Sequence, residues 1–173
     1  MTSPAILFLL ATTAAEGGWG APAVVNHDDQ PVVTYRAQVA GGYLAVQVQL
    51  AAGWHTFTLD NDKRAAAKLA GKKALSSDKP TQILAEGVEV TGAWLQPQPK
   101  DFSQPDLRIF SWGYEGEALF MAPAKAAGDT AKVRIKGQSC TQTVCKNVDI
   151  TAEAPVRKSG AAPATANLIA VTQ

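Results

Sequence analysis

Two apolar runs in PVVTYRAQVAGGYLAVQVQL, from Pro31 to Leu50, meet at Gly41-Gly42, and in the second run Leu44, Val46, Val48 and Leu50 alternate with Ala45, Gln47 and Gln49. Period-two alternation places one face of a strand on a core, and a Gly-Gly pair supplies the positive φ of a tight hairpin turn. The pattern therefore predicts a β-hairpin. The same alternation returns in Lys132-Val133-Arg134-Ile135-Lys136 and in Val148-Asp149-Ile150-Thr151. Shorter strands are expected at Gln82 to Leu84, Val88 to Thr91, Leu107 to Phe110 and Ala118 to Ala122, with turn residues between them. One stretch is helical in character: Asn61 to Ala70, NDKRAAAKLA, with Asp60 or Asn61 as N-cap and Gly71 as its stop. Many short strands and one short helix predict an all-β fold, an antiparallel β-sandwich. After Pro155 the alternation is lost, so residues 156–173 are expected to form a flexible C-terminal tail. The chain has no internal repeat.

At 173 residues, with 46% hydrophobic and 18% charged residues, the chain suits one globular domain. Lys plus Arg number 16 against 15 Asp plus Glu, and no basic cluster is interleaved with aromatics. Such a balance gives no field to hold a phosphate backbone, so nucleic acid is not an expected partner. The start of the chain differs from the rest. An apolar run from Ala5 to Ala15 is followed by small residues and Ala21-Pro22-Ala23, an A-x-A-like ending. Residues 1–23 thus fit an export signal, although no Lys or Arg precedes the run; the competing reading is an apolar N-terminal strand. The run is well short of the roughly 20 residues that span a bilayer, and no later one is long enough. A mature form that does not span a membrane, periplasmic or otherwise exported, is the expectation. Export would keep cysteines where disulfides persist.

The only two cysteines, Cys140 and Cys145, lie in GQSCTQTVCKN between two of the expected strands. Three chemistries are open to them. As a staple the pair is poor: closing so short a loop is worth about 2 kcal/mol, against nearly 5 for a loop of about 100 residues. A bridge also needs Cα atoms about 4.4 to 6.8 Å apart, which is reached here only if the chain doubles back. For zinc the ligands run short, since structural sites use about four and only His27 and His55 could join the cysteines. A soft Cu(I) site of Cys140, Cys145 and Met121 is chemically conceivable. For redox work a thiolate is needed, and cations favour it; Lys136 and Lys146 bracket the pair. Spacing alone leaves staple and redox dithiol level, and no metal or other cofactor is expected. Ser/His/Asp, phosphate-cradling and paired-carboxylate patterns are not recognisable.

Three stretches taken together carry a resemblance. They are Gly53-Trp54-His55-Thr56-Phe57, then Phe110-Ser111-Trp112-Gly113-Tyr114-Glu115-Gly116-Glu117 followed by Ala118-Leu119-Phe120, and Gly137-Gln138-Ser139-Cys140 with Cys145. In this order and spacing, over about residues 30 to 152, the chain resembles the amino-terminal periplasmic domain of the thiol:disulfide interchange protein DsbD. The resemblance implies an immunoglobulin-like β-sandwich over residues 24–155, with the paired cysteines on adjacent strands. It implies an electron-passing role, from a membrane reductant to oxidised periplasmic proteins, through a mixed disulfide in which Cys145 attacks and Cys140 resolves. It also implies a cap loop shielding the disulfide, matched here by Trp112, Gly113, Tyr114, Glu115 and Gly116, with Trp112 or Tyr114 as the covering ring. Tyr114, Glu115 or Glu117 could then tune a thiol or relay a proton, with Lys146 as neighbouring cation. The sequence departs from the pattern in having one residue fewer between the cysteines than the best-known member. Lys146-Asn147 also stands where an aromatic and a proline often follow. The family's transmembrane and thioredoxin-like domains are not in this sequence, so a separate membrane or thioredoxin-like reductase is the expected electron donor. The alternatives are a non-enzymatic immunoglobulin-like binding module with a structural disulfide, and a periplasmic copper-handling protein.

Overall fold

A computed structural model describes residues 18–73, 78–165 and 167–171. The hairpin expected from the first apolar runs is β2 (Gln30–Ala40) and β3 (Tyr43–Leu50), paired antiparallel from Val33↔Leu50 to Ala40↔Tyr43. Gly41 and Gly42 turn the chain at φ 57° and 78°, a region that a Cβ disfavours. Leu44, Val46, Val48 and Leu50 are buried while Gln49 is exposed, as the alternation requires. β1 (Ala23–His27) flanks β2 on one side, and β10 (Glu117–Ala126) flanks β3 on the other. The two alternating runs around the cysteines are β11 (Thr130–Cys140) and β12 (Cys145–Arg157), a hairpin in register from Thr130↔Pro155 to Cys140↔Cys145.

These strands make an immunoglobulin-like all-β sandwich with one short helix. β6 (Val88–Val90) and β7 (Leu95–Pro97) join β10 on the layer of β2 and β3. β4 (His55–Phe57) and β5 (Gln82–Glu86) pair with β11 on the other layer, and β8 (Lys100–Asp101) and β9 (Trp112–Glu115) extend it beyond β4. β12 belongs to both layers. Through Pro155 it pairs with β11, and then Val156 and Arg157 run parallel to Val39 and Ala40 of β2. Tyr35, Val46 and Phe120 from one layer meet Val133, Ile135 and Ala152 from the other in one buried cluster.

Three features differ from the sequence expectation. The helix α1 (Asn61–Leu69) stops as expected, with Ala70 left-handed at φ 49° before Gly71 at φ 84°. Neither expected cap residue caps it with its side chain, because both are engaged elsewhere. Asp60 Oδ1 accepts hydrogen bonds from Arg64 Nε and Gln96 Nε2, both at 2.8 Å, and Asn61 Nδ2 donates to the Asp78 carbonyl at 3.0 Å. Leu107 to Phe110 is no strand: Pro105–Leu107 forms a 3-10 turn, Arg108 is left-handed at φ 51°, and only Ile109 bridges, to Gln104. The cause is Pro105, whose fixed φ and missing N–H favour a turn start over a ladder. At the C-terminal side the lost alternation does not end the sheet. β12 continues to Arg157, and Leu168–Ala170 forms β13 on the free edge of β7.

Residues 1–17 of the expected export signal lie outside the described residues. Gly20 donates its N–H to the Ala37 carbonyl at 2.9 Å, and Ala23 opens β1. Among the described residues no helix is long and apolar enough to cross a membrane.

Candidate functional site

The cysteine segment folds back because Thr141 organises its own turn. Its N–H donates to the Val144 carbonyl at 2.8 Å, and its Oγ1 accepts from the N–H groups of Thr143 and Val144 at 3.2 and 3.1 Å, the local bonding by which hydroxyl side chains fix turns. Cys140 and Cys145 thereby stand directly opposite at the tip of the β11–β12 hairpin, bonded, with Cα atoms 4.0 Å apart.

β4 lies along the end of β11, and β9 lies along β4. Glu115, His55, Cys140 and Cys145 are consequently successive register partners across four strands. Directly opposed residues put their side chains on the same face, with Cβ atoms about 4.5 to 5.5 Å apart. The neighbouring row, Tyr114, Thr56 and Ser139, is wholly buried and faces the core. The cysteine row therefore faces outward. Even so, Cys140 is only 2% exposed, whereas Cys145 is exposed.

A second hairpin packs on His55 of that row. β8 and β9 run on past their ladder: Phe102 N–H donates to the Ser111 carbonyl at 2.9 Å, Gln104 and Ile109 bridge, and the 3-10 turn closes the tip. Phe102 lies flat on the His55 imidazole, ring centroids 4.5 Å apart and planes 12° from parallel. Between this hairpin and the cysteine turn is a recess of about 540 Å³, whose walls include His55, Asp78, Phe102, Ile109, Cys140 and Cys145. Buried hydrogen bonds fix its floor. Ser139 Oγ donates to the His55 carbonyl at 3.1 Å, Thr56 Oγ1 donates to the Gln138 carbonyl at 2.9 Å, and Asn61 Oδ1 accepts the Trp112 N–H at 2.8 Å. Gly113 makes the approach of β9 possible, since a Cβ there would run into the Thr56 carbonyl.

Two titratable groups on the row are perturbed. Burial holds the half-buried His55 imidazole below its ordinary value, opposed by the negative charges of Asp78 and Glu115. The Lys100 ammonium, 2.6 Å from Glu115 Oε2, holds that carboxyl below the usual range through its hydrogen bond and its charge.

The segment expected as a cap loop is a strand. Trp112 to Glu115 is a ladder strand between β4 and β8, so its side chains alternate and cannot all cover the disulfide. Tyr114 points into the core, edge-on to Phe120 with centroids 5.6 Å apart, and its hydroxyl donates to the Pro97 carbonyl at 3.0 Å. Burial raises its phenol pKa. Trp112 is half-buried opposite Asp101, and Gly116 turns the chain into β10. Glu117 lies on β10 opposite Gln49, whose amide donates to it at 3.3 Å. Lys146 is the register partner of Ser139, in the row beside the cysteines. The ring that lies over His55 beside the cysteines is Phe102. Of the groups considered for metal, Met121 is fully buried in the core and His27 packs against Trp54. Among the described residues no three His, Cys, Asp or Glu side chains gather to hold an ion.

A family model, thiol:disulfide interchange protein DsbD, N-terminal, matches residues 22–155. The chain belongs to this family. Solved structures with a similar fold include the N-terminal periplasmic domain of ScsB from Proteus mirabilis, 19% identical over 79% of this chain and 49% of that one, at a TM-score of 0.49. The chain thus spans about half the length of that ScsB chain. The DsbD N-terminal domain from Neisseria meningitidis in its reduced form is 16% identical over 72% of this chain and 85% of that one, TM-score 0.41. A chain in the complex of the DsbD N-terminal and PilB N-terminal domains from the same organism is 15% identical over 71% and 88%, TM-score 0.39. No curated protein matches the chain.

Within this DsbD-type domain, the sequence singled out Cys140, Cys145 and Glu115, which share one row, and did not place Phe102, Asp78 or His55 beside them. Phe102 carries no periodic signal, being bounded by Asp101 and Ser103 in a polar stretch. His55 had one signal, its position next to Trp54 and Thr56 in a short strand where alternate residues face the core.

Proposed function

We propose that this domain of the DsbD N-terminal family is exported by residues 1–23 and passes electrons through Cys140 and Cys145 to oxidised periplasmic proteins. A separate membrane or thioredoxin-like reductase supplies the electrons. The observation that carries this reading is the unequal exposure of the bonded pair, with Cys145 at the rim of the recess and Cys140 2% exposed within it. A staple needs neither a recess nor a roof, and it adds little to a hairpin already in register along all of β11.

In the charging step a reductase thiolate attacks Cys145 Sγ. The Cys140–Cys145 bond breaks, its electron pair leaves on Cys140 Sγ, and the reductase is joined to Cys145. A second reductase thiolate then displaces Cys145, so the reductase is oxidised and the domain holds two thiols. Delivery runs the same chemistry outward: Cys145 thiolate attacks a target disulfide, Cys140 resolves the mixed disulfide, and the target leaves as a dithiol. Cys145, exposed at the rim, is the point of attack, and Cys140 is reached through the recess beside the Phe102 hairpin. Leu107 at its tip and Val144 in the cysteine turn, 50% and 38% exposed, offer apolar contact to a docking protein.

Mass spectrometry tests this. Reduced Cys140→Ala is expected to trap a mixed disulfide at Cys145 with a disulfide-bearing partner, and Cys145→Ala to trap none. The wild-type couple is expected to have a reduction potential above about −300 mV. If neither variant traps an adduct and the bridge resists a thioredoxin-like reductant, the domain is instead a binding module with a structural disulfide.

A further inference from the structure

We propose that His55, backed by Glu115, is the proton acceptor that frees Cys140 to resolve the mixed disulfide, so that the row Glu115, His55, Cys140 works as one relay. The proposal rests on the exchange reading above and adds to it the group that moves the proton.

Cys140 needs such a group. It is 2% exposed, and burial without a neighbouring cation raises a thiol pKa, whereas only the thiolate attacks. The two lysines that bracket the pair in sequence do not face it. Lys146 belongs to the row of Ser139, which points to the other side of the sheet. Lys136 shares the face of Cys140 but stands four residues up the strand, about 13 Å away at the ordinary rise. The titratable side chain directly opposite Cys140 is His55, which lines the same recess. Phe102 stacked on its ring and the Ser139 bond to its carbonyl hold it there.

The groups facing His55 fit the task from every side. Glu115 stands opposite it from β9, itself tied to Lys100 of β8; Asp78 comes from the segment before β5; Cys140 comes from β11; and the hairpin contributes the uncharged Phe102. Burial keeps the imidazole neutral near pH 7, able to accept, and the two carboxylates stabilise the imidazolium that forms. In the step itself the Cys140 thiol gives its proton to His55. The resulting thiolate attacks Cys145 Sγ, and a Cys140–Cys145 bond forms as the Cys145–target bond breaks. The target sulfur leaves with the electron pair and is protonated by water, and His55 returns its proton to water in the recess.

The test uses the reduced full chain and glutathione disulfide, with acid quenching and mass spectrometry to separate the Cys145–glutathione adduct from the closed disulfide between about pH 5 and 9. Wild-type closure is expected to rise with pH through a midpoint below about 6.5, the ordinary histidine value. His55→Phe, which can keep the stack on Phe102, is expected to close about a hundredfold more slowly at pH 7 and to lose that midpoint. Adduct formation at Cys145 changes little in that variant. Glu115→Gln keeps the size of an exposed side chain while removing its charge and its ion pair with Lys100, and it is expected to move the midpoint to lower pH, because a charge favouring the imidazolium is gone. A merely structural role for His55 shifts neither the midpoint nor the ratio of the two steps. Wild-type closure rate and profile in His55→Phe, or an unmoved midpoint in Glu115→Gln, overturns the relay alone. A wild-type chain that forms no adduct overturns the exchange reading and the relay with it.

Discussion

At the scale of single residues, buried polar side chains hold the site together, and their loss is expected to be felt in stability. Asn61 is 1% exposed and ties two segments of the recess, donating to the Asp78 carbonyl and accepting the Trp112 N–H. Asn61→Ala leaves that N–H without a partner, and a loss of about 1 to 3 kcal/mol is expected in urea unfolding. His55 makes stability depend on pH in a definite direction. Its folded pKa is lowered by burial, so below about pH 6.5 the unfolded chain takes up the proton first and acidification destabilises the fold, until the folded histidine titrates too. Unfolding midpoints measured at about pH 5 and 7.5 should therefore differ less in His55→Phe than in the wild type. Tyr114→Phe removes only the hydroxyl bonded to the Pro97 carbonyl, and it is expected to leave the thiol chemistry as it is, at about 1 kcal/mol of stability.

At the scale of elements, the hairpin bearing Phe102 walls one side of the recess that holds Cys140. Phe102→Ala is expected to speed reduction of the bridge by dithiothreitol at least about threefold, read from free-thiol appearance, and an unchanged rate would show that the ring shields nothing. The sequence revealed this element only in part, and the reason is physical. Strand faces announce themselves through alternation, so β2, β3, β11 and β12 were legible, as was the helix through its Ala-rich run and Gly71. Alternation also held the answer for Trp112 to Glu115. Two aromatics beside glycines look like a lid, yet in a strand Tyr114 takes the inward position and becomes core. The Phe102 arm lacked any pattern, because a short arm that packs one ring on one imidazole needs no periodicity. Leu107 to Phe110 resembled a strand by composition, and Pro105 overruled it.

At the scale of the whole molecule, core and disulfide are expected to differ in their contribution to stability. Phe120 is fully buried where the two layers meet, so Phe120→Ala should cost about 3 to 5 kcal/mol. Replacing both cysteines by alanine should cost no more than about 2 kcal/mol, because the closed loop is short. Calorimetry on the two variants gives the comparison, and a larger loss for the cysteine pair would identify the bridge as a staple. The layout explains the difference. β12 starts at the disulfide and ends at the join between the layers, with the whole β11 ladder between those points. Opening the bond at the tip removes no backbone rung of that ladder, so the reduced domain is expected to keep the same fold. Substitutions around the recess are therefore expected to change the chemistry of the cysteine pair with little cost to folding, because the residues that line it stand outside the core shared by the two layers.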